Sequence, residues 1–256
     1  MDALFVIPAR MAASRLPGKP LAEIGGEAMI VKVWRRASEA GLGRVLVAAA
    51  EEEIAAAVRR AGGEAVLTDP ALPSGSDRVH AAVEAVDPRR RHDLVVNLQG
   101  DQPLIPPATI AAALAPFEAG RAPDIATLGA VIVEPREADD PNVVKAAVAL
   151  PDGPARPGAI GRALYFSRAR IPTGEGPLLH HIGIYAYARA ALDRFVALPP
   201  SPLERRERLE QLRALEAGLA IDLTVVDKVP IAVDTPGDLE RARAAHAAAA
   251  KGGEQK

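Results

Sequence analysis

Three cations follow the first apolar segment of this sequence within ten positions. Residues 4–7 form a short run typical of a buried strand, and Pro8 ends it because proline offers no N–H to a sheet ladder. The cations and the small residues between them are Arg10, Ser14, Arg15, Gly18 and Lys19. Small residues let the backbone approach an anion, and these cations can hold several phosphate oxygens. The spacing predicts a nucleoside triphosphate site; a solvated surface turn is the alternative, because neither a Walker A loop nor G-x-G-x-x-G is present.

A carboxylate follows a second apolar run. Residues 94–98 have the pattern of a central strand that leads directly into Gly100 and Asp101. An aspartate at the carboxyl end of such a strand can hold a divalent cation beside bound phosphates. Aspartate also caps helices and closes turns, so a purely structural role stays open at this point.

Strand and helix patterns alternate along the first part of the chain, and these elements must position both groups. Helical spacing is found over 29–40 and 51–61, while 45–49 and 65–67 are typical of strands. This alternation predicts an α/β fold with a parallel sheet.

A proline-rich loop then leads into a helix for which Ser76 is the predicted N-cap. Arg78 would lie in the first turn of that helix, where a cation is mildly unfavourable against the helix dipole. An arginine in this position often has another task, and a solvated surface arginine is the alternative.

The rest of the chain predicts further elements of both kinds. The helices are predicted over 109–118, 201–218 and 239–249, and the strands over 125–133, 145–149, 163–166, 180–187 and 221–226. The proline and glycine content of 151–177 suggests hairpins that project from the main sheet and could form a dimer contact. We therefore predict a single domain spanning 1–256 with a hairpin lobe at about 125–190. His180 and His181 point to opposite faces of a strand, so they are not a zinc motif.

Composition excludes several classes of function. The formal net charge of −2 argues against nucleic acid as a main partner, so the basic loop is a local feature. The sequence has no cysteine, which excludes a disulfide framework and a thiol catalyst. No apolar run has the length of a membrane span, and the prediction is a soluble cytoplasmic protein.

The ordered motifs of this chain resemble the 3-deoxy-manno-octulosonate cytidylyltransferase (CMP-Kdo synthetase) family. The motifs that carry the resemblance cover nearly the whole chain and occur in family order: 7–10, 14–21, 74–78, 97–103, 141–145, 164–168, 181–185, 201–204, 209–213 and 233–236. The first is shared by many sugar nucleotidyltransferases, whereas those around Phe166, His181 and Leu209 make the resemblance specific.

The resemblance implies a three-layer α/β/α nucleotidyltransferase fold, GT-A-like and Rossmann-like, with a predominantly parallel mixed central sheet. It also implies a homodimer and the Mg²⁺-dependent reaction of CTP with Kdo to give CMP-Kdo and pyrophosphate. The family's function is to activate Kdo for lipopolysaccharide synthesis.

Site roles follow from the resemblance by position. Those implied for the triphosphate are Arg10, Arg15 and Lys19; for the cytidine pocket, Pro8, Ala9, Ser74, Gly75, Arg78 and Gln99; for Mg²⁺, Asp101 and Asp234; and for Kdo, Arg168, His181, Tyr185, Glu210 and Gln211.

Two positions depart from the family pattern. Ala49-Ala50 stands where the family commonly has Thr-Asp, and Gln102 stands in a motif that is commonly Gly-Asp-Glu-Pro. A polar contact and a carboxylate near the site are therefore missing. A related acid sugar, such as 8-amino-Kdo or a sialic acid, is one alternative substrate, and a non-catalytic nucleotide-binding protein is the other alternative.

Overall fold

The structure is a computed structural model that describes residues 2–12, 15–151 and 153–253, without the side chains of 251–253. Ser14 of the predicted phosphate loop and Asp152 of a predicted turn lie outside the described residues. The chain divides into two compact units. The first comprises Met1–His92, Asn97–Ile110 and Pro230–Lys256, and the second Asp93–Val96 and Ala111–Val229. The single domain with a lobe at 125–190 stays a prediction.

The strands are β1 Ala3–Ala9, β2 Glu23–Ile24, β3 Glu27–Ala28, β4 Arg44–Ala49, β5 Glu64–Leu67, β6 Leu94–Asn97, β7 Ile125–Val131, β8 Lys145–Ala149, β9 Ile160–Ser167, β10 Leu179–Ala188 and β11 Ile221–Val226. The α-helices are α1 Met29–Glu39, α2 Glu52–Arg60, α3 Gly75–Val86, α4 Pro107–Ala112, α5 Ala115–Glu118, α6 Arg189–Ala197, α7 Pro202–Glu207, α8 Gln211–Glu216 and α9 Pro236–Gly253. Short 3₁₀ helices cover Lys19–Leu21 and Pro135–Ala138. No helix in the described ranges combines the length and the apolar character that a bilayer crossing demands.

In the first unit, β1, β4 and β5 lie side by side and run parallel, as the alternation predicts. The central residues of β1 are fully buried, which explains its continuous apolar run. A smaller core cluster joins Ile24 and Met29 to Val233 and Leu239, so the segment before α9 is anchored by burial of apolar side chains.

The second unit is built on a mixed sheet. Strand β7 pairs antiparallel with β10 and parallel with β11, and β9 pairs antiparallel with both β11 and β8. Strand β8 also pairs with the start of β10, so β8 and β9 are hydrogen-bonded into this sheet. Both strands of this hairpin, β8 and β9, are therefore hydrogen-bonded to other strands of the sheet.

Some predicted boundaries are wrong for local reasons. The helix expected over 109–118 is interrupted before α5, because Pro116 has no N–H to donate one turn back. The helix expected over 201–218 ends at Glu207, and Arg208 takes a left-handed conformation (φ 56°, ψ 46°) before α8 begins. Helix α6 was not predicted.

The N-cap of α3 is Ser74 rather than the predicted Ser76. Ser74 is extended, and its hydroxyl accepts a 3.1 Å hydrogen bond from the backbone N–H of Asp77. Ser76 lies inside the first turn and is buried. Of the two serines, the one three residues before an acidic side chain is therefore the cap.

Candidate active site

The ends of the three parallel strands of the first unit form one rim. Ala9 is the register partner of Ala49, and Ala49 is the partner of Leu67, so the loops that follow these strands leave from the same edge. A cavity of about 450 Å³ opens in this unit. Its lining consists of Pro8, Ala9, Arg10, Ala12, Arg15, Lys19, Pro20, Ser74, Gly75, Arg78, Gln99, Gly100, Asp101 and Asp234.

Every residue that the resemblance assigns to CTP or to the metal lies on this lining. The cavity also includes Ala12, Pro20 and Gly100, which were not predicted. A Cβ on Gly100 would lie 3.0 Å from the carbonyl oxygen of Pro8, so glycine allows the two segments to approach closely. The sequence signal for this residue was its place between a strand and Asp101.

The basic loop folds back on itself before Lys19. Gly18 is left-handed (φ 72°), and its N–H donates to the carbonyl of Met11 at 3.3 Å. The N–H of Met11 in turn donates to Oε2 of Glu51 at 2.9 Å, which ties the loop to the end of β4. These contacts bring Lys19 back to the rim from which the loop departs. Glu51 was not predicted as a site residue.

A backbone hydrogen bond brings the segments of Asp101 and Asp234 together. The N–H of Val233 donates to the carbonyl of Asp101 at 2.9 Å, and the side chain of Val233 is fully buried. Asp238 then fixes the turn, since its Oδ2 accepts from the N–H groups of Asp234 and Thr235 at 3.0 and 2.8 Å. The hydroxyl of Thr235 accepts from the N–H of Asp238, which completes a reciprocal cap at the start of α9. The Thr-x-x-Asp spacing was the signal for Asp238.

A single ammonium bridges the two aspartates. Lys19 Nζ donates to Asp101 Oδ2 at 3.0 Å and to Asp234 Oδ1 at 3.1 Å. Burial alone would lower the pKa of Lys19, but the two carboxylates outweigh burial and the pKa is raised. Burial raises the pKa of Asp101, and the nearby Lys19 offsets part of that effect. Arg15 makes an exposed ion pair with Asp234 at 3.2 Å.

The donor set suits a hard divalent cation. Two carboxylate oxygens from distant parts of the sequence converge on one cationic atom, as the ligands of one ion must. Magnesium prefers oxygen ligands and commonly combines one or two carboxylates with phosphate oxygens and water. Lys19 and Mg²⁺ would therefore be alternative partners of the same two oxygens.

Arg78 is another lining residue of the cavity. Its side chain is almost fully buried, and Nη1 donates to the hydroxyl of Thr68 at 2.6 Å and to the carbonyl of Asp69 at 3.1 Å. These bonds hold the loop between β5 and α3. The prediction that Arg78 has a task in the first helical turn is thus supported by its contacts, and its solvated alternative is excluded.

The residues that depart from the family pattern are not among those that line the cavity. Ala49 and Ala50 are buried, and the carbonyl of Ala49 accepts from both the N–H and the hydroxyl of Thr68 at 2.9 and 3.1 Å. Gln102 is buried, and its Oε1 has no hydrogen-bond partner within the described ranges.

The residues that the resemblance assigns to Kdo all belong to the second unit. The ring of His181 lies 5.6 Å from that of Tyr185, centroid to centroid. Burial raises the pKa of Tyr185 well above its usual value, and Tyr187 and Glu210 add to this effect. Gln211 is buried at the start of α8, and its Nε2 lacks a hydrogen-bond partner in the part of the chain that the structure describes.

His181 is held as a neutral ring. Burial lowers its pKa to about 3, and His180 contributes in the same direction. The hydroxyl oxygen of Thr127 lies 3.0 Å from His181 Nε2, 2.8 Å from the carbonyl oxygen of Ile184 and 3.2 Å from that of Ile182. Thr127 is therefore the hydrogen-bond partner of the His181 ring, and it was not predicted from the sequence.

Arg168 is bonded to backbone carbonyls on three sides. Nε donates to Glu207 O at 2.8 Å, Nη1 to Pro141 O at 2.9 Å and Nη2 to Arg208 O at 3.4 Å. These contacts hold the side chain in place, and its predicted role in Kdo binding stays a prediction.

The chain matches known cytidylyltransferases over nearly its full length. Residues 4–222 match the cytidylyltransferase family. The 3-deoxy-manno-octulosonate cytidylyltransferase of Parvibaculum lavamentivorans is 64% identical, over 94% of this chain and 92% of that protein. Its counterpart in Azorhizobium caulinodans is 65% identical, over 95% of both chains. A solved structure of CMP:2-keto-3-deoxy-manno-octonic acid synthetase complexed with CTP is 39% identical, with a TM-score of 0.87 over 96% of this chain and 99% of that one.

Both the identity and the coverage exceed what a shared fold alone would give, and they confirm the family and the nucleotidyltransferase fold that the motifs predict. The chain belongs to the 3-deoxy-manno-octulosonate cytidylyltransferase family.

Proposed function

We propose that this protein transfers CMP from CTP to the anomeric hydroxyl of Kdo and releases pyrophosphate. The observation that carries the proposal is the full-length likeness to relatives named for this reaction, one of them complexed with CTP. The first unit supports it with a cavity that combines the three cations of the basic loop and Arg78 with two converging carboxylates.

The cations fit the electrostatic demands of the transfer. The anomeric oxygen attacks the α-phosphorus, and the bond from that phosphorus to the oxygen bridging the α- and β-phosphates breaks. The hydroxyl proton passes to solvent, and the leaving pyrophosphate gains negative charge. Arg10, Arg15 and Lys19 would hold the phosphates and offset this charge, which is the main contribution a protein makes to such reactions.

Asp101 and Asp234 would hold Mg²⁺. When bound, the ion would supply charge neutralisation at the phosphates and lower the pKa of a coordinated hydroxyl. Pro8, Ala9, Ser74, Gly75, Arg78 and Gln99 would line the cytidine site. Arg168, His181, Tyr185, Glu210 and Gln211 would contribute to Kdo binding, with His181 acting as a neutral hydrogen-bonding group.

We further propose a homodimer that acts in the cytoplasm and serves lipopolysaccharide synthesis. Two strongly exposed apolar side chains of the second unit, Val133 and Leu164, support an interface because exposed apolar surface favours association. Sedimentation of the wild type and of Leu164→Lys would test this. A wild-type monomer at micromolar concentration would contradict the dimer.

A substrate panel tests the activity. The purified protein is mixed with Mg²⁺ and CTP, and with Kdo, 8-amino-Kdo or a sialic acid, and pyrophosphate is measured. We expect the highest kcat/KM with Kdo. A higher kcat/KM with another acid sugar would identify that sugar as the substrate instead of Kdo. CTP binding without turnover of any sugar would favour the non-catalytic alternative.

A further inference from the structure

Lys145 is a buried cation of the second unit that no part of the proposed chemistry uses. Its side chain has no exposed surface. Nζ donates to the carbonyl oxygens of Asp140, Val143 and Arg168 at 2.9, 2.6 and 2.7 Å. An ammonium has three N–H donors, and all three are used here. Lys145 is therefore saturated by the main chain and has no donor left for a ligand.

Arg168 extends the same network to a third segment. Its backbone carbonyl is held by Lys145, while its guanidinium donates to the carbonyls of Pro141, Glu207 and Arg208. We call these residues, from Asp140 through Lys145 and Arg168 to Arg208, the carbonyl network. It ties the loop before β8 and the end of β9 to the turn between α7 and α8.

Glu207 fastens that turn from the other side. One carboxylate oxygen accepts from the hydroxyl of Ser167 at 2.8 Å, and the other accepts from the N–H of Arg168 at 3.0 Å. The next residue, Arg208, has the left-handed backbone that a non-glycine residue adopts only where its surroundings impose it. The carbonyl network supplies those surroundings.

The turn leads directly to Glu210 and Gln211, and the side-chain amide of Gln211 has an unsatisfied hydrogen-bond donor. Its Nε2 is a buried donor with no acceptor in the described part of the chain. Buried donors without a partner are uncommon in proteins, and a ligand oxygen would satisfy this one. The position of Gln211 depends on the turn that the network holds.

We infer that Lys145 and Arg168 are positioning residues of the sugar-acid site, which act by fixing the turn at 207–208 that presents Glu210 and Gln211. This inference rests on the proposed function. It adds Lys145 to the site, and it gives Arg168 a role through the main chain instead of through direct contact with the sugar carboxylate.

Kinetics and hydrogen exchange of Lys145→Met and Arg168→Met test the inference. We expect each change to raise the KM for Kdo at least tenfold and to leave the KM for CTP within twofold. In the ligand-free protein, amides of 205–213 should exchange faster in both variants. Combining the two changes should raise the KM for Kdo by less than the product of the single effects, because both act through one turn. Arg206→Met is the matched control, since it removes an exposed cation from the same helix.

Three results would overturn the inference. Unchanged exchange and an unchanged KM for Kdo in Lys145→Met would show that the network does not position the site. A higher KM confined to Arg168→Met, without faster exchange, would indicate direct contact with the sugar. A parallel rise of both KM values would indicate a general structural role.

If Lys145→Met does not fold, Glu207→Gln and Arg168→Lys replace it, because both keep part of the network. Glu207→Gln should raise the KM for Kdo alone, and Arg168→Lys should recover part of the loss seen in Arg168→Met; the opposite result in either variant would overturn the inference. A wild type that does not turn over Kdo would refute the proposed function, whereas the exchange experiment on the free protein would still test the network.

Discussion

The two units hold a lysine in opposite ways. In the first unit, Lys19 retains 18% exposure of its side chain and bonds two carboxylates, which raise its pKa. In the second, burial lowers the pKa of Lys145, and the ammonium bonds three main-chain carbonyls. Side-chain carboxylates can exchange one bound cation for another. Main-chain carbonyls are part of the backbone, so a cation that bonds three of them holds backbone segments together. The first arrangement is suited to ligand exchange and the second to architecture.

The largest effect on activity should come from changing the two carboxylates that bond Lys19. We expect Asp101→Asn and Asp234→Asn each to lower kcat by about 10³-fold, because each change removes a charge from the pair that would hold Mg²⁺. The thermal unfolding temperature should change little. Pyrophosphate release and calorimetry measure the two effects, and Glu53→Gln, an exposed change on α2, is the control. Near-normal rates at saturating Mg²⁺ would remove both residues from the metal site.

Loss of the buried lysine should cost stability. We expect Lys145→Met to lower the free energy of unfolding by about 3 kcal/mol, because buried carbonyls would lose their donor. Lys19→Met should lower it by less than about 1 kcal/mol, since its partners are partly solvated. Urea unfolding of both variants measures the difference. Equal losses would erase the distinction between the two lysines.

Loss of the exchangeable lysine should instead affect ligands. We expect Lys19→Met to lower kcat/KM for CTP by about 10²-fold through the lost phosphate contact. Without nucleotide, the same variant should bind Mn²⁺ more tightly than the wild type, because no ammonium competes for Asp101 and Asp234. Electron paramagnetic resonance of free Mn²⁺ gives the affinity. Lys32→Met, which removes a cation paired with Glu27 instead, is the control. Weaker Mn²⁺ binding by Lys19→Met would contradict the competition.

Burial of His181 in the second unit should make the free energy of unfolding depend on pH. The folded pKa of His181, about 3, lies below the ordinary value of 6.5, so protons favour the unfolded state. The contribution of the neutral ring is complete above pH 6.5 and is lost progressively as the pH falls toward 3. Between pH 7.5 and 5.0, the wild type should lose about 2 kcal/mol more than His181→Gln. Urea unfolding at the two pH values measures these losses. If the wild type and His181→Gln lose the same free energy of unfolding between pH 7.5 and 5.0, the ring is not held neutral.

Local sequence patterns were sufficient to predict elements whose apolar pattern and flanking turn or capping residues indicate the same boundaries. Strand β11 was predicted with its observed bounds, because residues 221–226 lie between clear helix and turn signals. The Ser-x-x-Glu spacing of Ser201 and Glu204 is that of a capping box, and both hydrogen bonds of the box are present. The error at Ser76 arose because two serines compete for one cap, and the signal that distinguishes them is Asp77, three residues after Ser74.

Interactions between distant segments were not predictable in the same way. Arg208 has a left-handed backbone that its residue type does not favour, and contacts from Arg168 and Glu207 accompany it. Lys145 was read only as part of a family motif, because no local pattern shows three carbonyls converging on one ammonium.

By itself, the sequence determined the alternating α/β elements, the basic loop that ends at Lys19 and the family to which the chain belongs. Tertiary structure alone decided that Lys19 lies between Asp101 and Asp234, since a hydrogen bond from Val233 and the buried cluster around it join segments far apart in the chain. It also decided which lysine bonds carboxylates and which bonds carbonyls. The physical reason is that residue type fixes the charge of a side chain, whereas its partners and its burial depend on the folded chain around it.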